Sequence, residues 1–282
     1  METITIDGVN LFLSHPDELK YDWVGQTELL DQVLAAWLVL DKEDLPLNPR
    51  LTGKPGVGKT TLAYAAAKRL GRPVYMFQAT MDTRPEDLII TPVIGELGHI
   101  RYMASPLVTA MIRGGICILD EGNRMSEKSW ASLAPLLDNR RYVESVVAAI
   151  KIQAHPDFRF CATMNDDAST FELPEYIHSR IQPQIFIDFP EPDEERVILR
   201  RNLPFSNEAI LEYIVEFLKL AHAAGERYTV RDGINLGRYA LKLLGEHKNP
   251  SHKEILKVLD LAVRMILGDD ALDYLHGAAI LL

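Results

Sequence analysis

The sequence predicts a three-layer α/β domain followed by a smaller all-helical one. Three features carry this reading. Between residues 51 and 189, short apolar runs alternate with helical stretches, and a glycine-rich turn, GKPGVGKT at 53–60, sits where a strand passes into a helix. After Pro190-Glu191-Pro192 only helical periodicity remains. Continuous apolar runs separated by helices are what a parallel sheet covered on both faces requires. The division therefore falls at 189/190, with an α/β core and its N-terminal β segment over 1–189 and a helical domain over 190–282.

Taken in order, residues 3–13 alternate about Asp7-Gly8, a hairpin signal, and 23–26 lead into an apolar-periodic helix ending near Leu40. From Leu51 the chain reads as a strand, the glycine turn and a helix through Leu70, then strands at 73–77, 116–119, 158–163 and 185–189. Two stretches look like insertions: 94–102, with glycines at 95 and 98, and 141–153, which alternates as a hairpin does. The C-terminal part offers helices at 193–201, 207–222, 232–244 and 251–267.

Composition narrows the function. With 282 residues, 47% of them hydrophobic, the chain can bury a substantial core. A net charge of −10 and a pI near 5.3 argue against a dedicated nucleic-acid binder, which needs clustered lysine and arginine. Cys117 and Cys161 each lie in an apolar run without metal-site spacing, so buried free thiols are expected rather than a disulfide or a zinc site. The N-terminus lacks a basic leader pattern, and no apolar run approaches the ~18 residues of a membrane span, so the cytoplasm is the expected location.

The glycine turn carries the chemistry. Gly53, Gly56 and Gly58 let the backbone wrap closely around phosphates, so that main-chain N–H groups and the following helix N-terminus meet the anion. Lys59 is placed to reach the β- and γ-phosphates and Thr60 to bind Mg²⁺. The apolar strand ICIL ends in Asp120-Glu121, one carboxylate for the metal and one to orient or deprotonate an attacking water. Taken alone, that pair is an ordinary solvated strand end; following the phosphate loop, it completes a nucleoside triphosphatase pattern. Asn165 ends the strand FCATMN, where its amide can address the γ-phosphate or the water. Arg180 and Arg231 are candidate cations for the charge that develops on the transferred phosphoryl group, although a surface arginine is the plainer reading of either by itself. The eight histidines show no paired spacing, and Asp138 to Arg141 reads as a solvated helix end, with Arg140 or Arg141 able to face a neighbouring subunit.

In order and spacing, VGQ at 24–26, GKPGVGKT, EDLIITPVIGELG, SPLVTAMIRGGICILDEGNRMS, LAPLLDNRRYV, HPDFRFCATMN, LPEYIHSRI and FPEPDEERVIL resemble the AAA+ ATPases, specifically their MoxR-like and dynein-related branch. The resemblance covers nearly all of the chain. It implies a P-loop NTPase core with a five-stranded parallel sheet, an α-helical lid, ATP and Mg²⁺ as cofactors, and subunits joined in a homo-oligomeric ring, usually a hexamer. Carried over by position, Lys59 and Thr60 are the Walker A residues, with Pro55, Val57 and Thr61 in the same nucleotide-binding stretch, and Asp120 and Glu121 are Walker B. Asn165 becomes sensor 1, Arg180 an arginine finger acting on a neighbour's nucleotide, and Arg231 sensor 2, with Val24 and Gly25 beside the base. The segments at 94–102 and 141–153 correspond to insertions that face a substrate or partner.

The activity implied is ATP hydrolysis coupled to remodelling or activation of a partner protein, one bearing a von Willebrand factor A domain by family precedent. Three alternatives stay open at this stage: a GTP-dependent motor of a DNA restriction type, a nucleotide-gated binding or assembly module with little hydrolysis, and a DNA-translocating motor or clamp loader. The chain departs from the branch pattern at Gly122, where DEINR carries an aliphatic residue, at MNDDAST, which lacks the common NP, and at Asp232-Gly233 after Arg231.

Overall fold

The computed structural model describes residues 2–20, 22–95, 98–166, 172–204, 207–245 and 250–281. Residues 96–97 of the expected first insertion and 167–170 of the MNDDAST segment lie outside the described residues. The chain divides into two compact units, one of 1–23, 27–53 and 58–187, the other of 24–26, 54–57 and 188–282. The second unit thus takes in two short segments that the division at 189/190 assigned to the core.

The first unit begins with strands β1 (Thr3–Ile6) and β2 (Val9–Phe12), joined through Asp7 at φ 48° and Gly8 at φ 81°. Positive φ at both central residues is the twist-matched hairpin turn that Asp-Gly favours. Helix α1 (Thr27–Trp37) follows. It stops at Trp37 rather than near Leu40, because Trp37 is buried with its indole N–H donating to the Phe160 carbonyl, while Leu40 is 81% exposed.

The next elements are β3 (Arg50–Gly53), α2 (Lys59–Arg69), β4 (Val74–Gln78), α3 (Pro85–Leu88), β5 (Ile90–Ile94) and β6 (Ile100–Ala104). They are followed by α4 (Pro106–Arg113), β7 (Ile116–Asp120), α5 (Glu127–Leu133), β8 (Tyr142–Ser145), β9 (Ile150–Gln153), β10 (Arg159–Asn165), α6 (Glu175–His178) and β11 (Gln184–Phe186).

Five strands make an all-parallel sheet in the order β11-β3-β10-β7-β4. Parallel strands need crossovers, and the intervening helices cover both faces. On β7, Cys117 and Leu119 join the cluster containing Leu107, Val108 and Met111 of α4, while Ile116 and Ile118, on the opposite face by strand alternation, are also fully buried. Leu62, Ala63, Ala66 and Ala67 give α2 a buried face, and α2 packs on β7 and β10. Cys117 and Cys161 are free and buried, and burial pushes both thiols up.

The first insertion is larger than expected. β5 and β6 pair antiparallel, and β6 pairs in parallel with β2, giving a four-stranded sheet β1-β2-β6-β5. The second insertion is the β8–β9 hairpin.

The second unit carries α7 (Pro192–Asn202), α8 (Glu208–Ala223), α9 (Val230–Leu244), α10 (His252–Ile266) and α11 (Leu272–Leu281). α11 carries no helical apolar periodicity in its sequence because its apolar residues are spread around the axis. Asp232-Gly233 has a local explanation. The Asp232 carboxylate accepts from the Thr229 N–H at 2.8 Å, capping α9, and a Cβ on Gly233 would lie 2.9 Å from Ile214 of α8. Among the described residues no helix is long and apolar enough to cross a membrane.

Candidate nucleotide site

In the first unit, β3 delivers the chain into the glycine turn, and Gly58 caps α2 at φ 97°. This left-handed conformation disfavours a side chain, and a Cβ there would meet Trp23 at 3.1 Å. Lys59, the first residue of α2, is buried and folds its ammonium back onto the Gly53 carbonyl at 2.9 Å. The hydroxyl of Thr60, the next residue, donates to Asp120 Oδ1 at 2.7 Å.

Asp120 and Glu121 arrive at the end of β7, and Asn165 ends β10, the adjacent parallel strand. Asp120 Oδ1 also accepts from the Thr163 hydroxyl, and the Glu121 N–H donates to that same hydroxyl oxygen at 3.0 Å. The Glu121 carboxylate is held on both oxygens. Asn165 Nδ2 donates to Oε1 at 3.0 Å, and Arg124 pairs with Oε2 at 2.8 Å. Glu121 itself adopts φ 55°, a conformation rare outside glycine, asparagine and aspartate. Thr60, Asp120, Glu121 and Asn165, chosen from widely separated sequence segments, are therefore within side-chain reach of one another.

Asp120 and Thr60 offer a carboxylate and a hydroxyl, hard oxygen donors of the kind Mg²⁺ takes alongside phosphate oxygens and water. The described residues contain no group of three His, Cys, Asp or Glu side chains able to hold a metal by themselves.

Arg180 belongs to a different cluster of the same unit. It pairs with Asp138 at 3.5 Å and donates to the Tyr176 carbonyl, on the wall of a cleft of about 460 Å³ that Glu43, Asn48 and Arg141 also line. The guanidinium groups of Arg140 and Arg180 hold Asp138 low, at about 2, that of Arg140 foremost. Val24, Gly25, Pro55, Gly56, Val57 and Arg231 fall in the second unit. There Gly25 (φ 72°) lies against the Glu194 side chain, and a Cβ on Gly56 (φ 90°) would meet Thr229 Oγ1 at 2.6 Å.

Three residues at the site escaped the sequence reading: Thr163, Asn123 and Arg124. Thr163 precedes Asn165 by two positions, the period that puts side chains on one face of a strand. Asn123 Nδ2 donates to the Asn165 carbonyl at 2.7 Å, which ties the turn after β7 to the end of β10. Gly122 in place of an aliphatic residue also has a reason: a Cβ there would lie 3.1 Å from the ring of Trp130, which is fully buried and fills the space.

Residues 50–181 match the model of the AAA domain, dynein-related subfamily. Protein NorQ of Paracoccus denitrificans is 33% identical over 230 residues, covering 81% of this chain and 82% of NorQ. The chain belongs to the dynein-related AAA family. Within it the chain is MoxR-like: Protein MoxR of Paracoccus denitrificans is 29% identical over 226 residues, 77% of this chain and 66% of MoxR. The match thus spans a little under two thirds of that relative. A solved structure of the Thermotoga maritima RuvB Holliday junction branch migration motor superposes with a TM-score of 0.58 at 18% identity, over 84% of this chain and 70% of that one. At that identity it supports the AAA+ P-loop fold alone.

Proposed function

We propose that this dynein-related AAA protein is a Mg²⁺-dependent ATPase that assembles into a ring, a hexamer by family precedent, and uses hydrolysis to remodel or activate a partner protein in the cytoplasm. The observation that carries the reading is the joining of Thr60, Asp120, Glu121 and Asn165 at the ends of two adjacent strands beside the phosphate loop. In this scheme the loop amides and Lys59 bind the β- and γ-phosphates, and Thr60 and Asp120 hold the metal. When bound, Mg²⁺ neutralises charge that develops on the phosphates. Glu121 orients the attacking water for in-line displacement, Asn165 fixes the Glu121 carboxylate, and Arg180 supplies a cation to the neighbouring subunit's nucleotide. Val24, Gly25 and Arg231 are further nucleotide contacts in this scheme. The partner is a protein bearing a von Willebrand factor A domain, as the family resemblance implies.

The test is phosphate release from ATP and from GTP with Mg²⁺ across a protein dilution series, with Lys59→Ala as the blank. Cleavage of ATP at a rate per subunit that rises with concentration supports a ring with Arg180 acting in trans. No cleavage of either nucleotide at any concentration, with or without a von Willebrand factor A partner, overturns the reading.

A further inference from the structure

We propose that Arg124 is a positioning residue for hydrolysis, one that fixes the Glu121 carboxylate in its working rotamer together with Asn165. This rests on the hydrolytic reading above and adds to it a residue that neither the phosphate loop nor the acidic pair contains.

Glu121 is an unusual base to have to hold still. Its backbone sits at φ 55°, a strained conformation that persists only where the surroundings enforce it. The enforcement is visible. The Glu121 N–H is on the buried Thr163 hydroxyl, and the Glu121 carbonyl accepts from the Arg124 N–H at 2.9 Å. That second bond closes the 3-10 turn Gly122–Arg124. The turn brings the Arg124 guanidinium back over the residue three positions before it, with Nε 2.8 Å from Glu121 Oε2.

The carboxylate is thereby gripped from two sides, by a cation on one oxygen and by the Asn165 amide on the other at 3.0 Å. Each oxygen has a second lone pair for a water, so the grip leaves the acceptor usable while removing rotamer freedom. Asn123, the residue between, anchors the same turn to the Asn165 carbonyl, so both arms of the clamp are referenced to one piece of backbone. Without Arg124 a single hydrogen bond from the Asn165 amide would restrain a side chain with three rotatable bonds. Arg124 Nε makes no hydrogen bond, so its hold on Oε2 is an ion pair, the attraction of two opposite full charges 2.8 Å apart.

The experiment uses the full chain, Glu121→Gln and three further variants. Arg124→Met keeps the aliphatic stem without charge, Arg124→Lys keeps a charge, and Arg124→Met is repeated in a Glu121→Gln background. Turnover and the affinity for a fluorescent ATP analogue are measured for each. Arg124→Met is expected to lower kcat about 10- to 100-fold, the scale of a misplaced catalytic group, with nucleotide affinity within about 2-fold of the parent. Arg124→Lys should recover part of the loss, and Arg124→Met should add nothing in the Glu121→Gln background, because the group it positions is already gone. A kcat for Arg124→Met equal to that of the parent overturns the inference. So does a loss of nucleotide affinity that matches the loss of kcat, or a further loss in the Glu121→Gln background. Failure of the hydrolytic reading looks different: the unmodified chain itself then releases no phosphate.

Discussion

Glu195 on α7 is completely buried in the helical unit, and neither carboxylate oxygen has a hydrogen-bond partner among the described residues. His222 Nδ1 stands 3.9 Å away, and burial keeps that imidazole below its ordinary value. Desolvation pushes the Glu195 carboxyl up from 4.5 to about 8, with Glu191 adding to the effect. A group whose folded pKa is raised binds its proton more tightly in the folded chain. Its contribution to stability is complete below the unfolded value of 4.5 and is lost as the pH climbs towards about 8. The whole displacement corresponds to about 5 kcal/mol, and about 3 kcal/mol of it falls between roughly pH 6 and pH 9. Glu195→Gln keeps the shape and removes the titration, whereas His222 is common to both proteins. Urea unfolding of each at intervals across that range should show the difference in stability growing in favour of Glu195→Gln by about 3 kcal/mol. Two stability curves that run parallel over the range would refute the argument.

Two further substitutions probe the packing around the site. Gly58→Ala must place a side chain at φ 97° with its Cβ 3.1 Å from Trp23, so thermal unfolding should register a loss of about 1–2 kcal/mol and a binding titration a weakened nucleotide. Gly122→Ile restores the aliphatic residue of the branch pattern but drives it into Trp130, so it should destabilise by about 1–3 kcal/mol, and Trp130→Leu should return part of that in the double variant. Additive losses in the double variant would show that the two side chains do not share the space.

Much of the fold was legible because its signals are local. Asp7-Gly8 announced its hairpin, the apolar runs ending at Asp120 and Asn165 announced buried parallel strands, and the helical periodicity after Pro192 located α7 to α10. What was not legible depends on partners distant in sequence. The glycines at 95 and 98 that mark 94–102 say nothing of a pairing between Leu11 and Tyr102, which makes the N-terminal hairpin part of a four-stranded sheet. The end of α1 is set by the Trp37 indole reaching Phe160, and the strand expected over 185–189 is confined to Gln184–Phe186, although Ile187 still donates to the Thr52 carbonyl. At the site, the sequence named the carboxylates with Thr60 and Asn165, but not the further groups that hold them. Thr163 and Arg124 act through a strand neighbour and a tight turn, contacts that motif spacing alone does not state.

The central claim is that Glu121 serves the chemical step rather than nucleotide binding. Glu121→Gln keeps a side chain of the same size able to lie beside Asn165, while removing the carboxylate. Measured side by side with the parent, it should bind a fluorescent ATP analogue with Mg²⁺ at comparable affinity and release phosphate at least about 100-fold more slowly, the lower bound for a positioned base. Phosphate release at close to the parental rate would contradict the account.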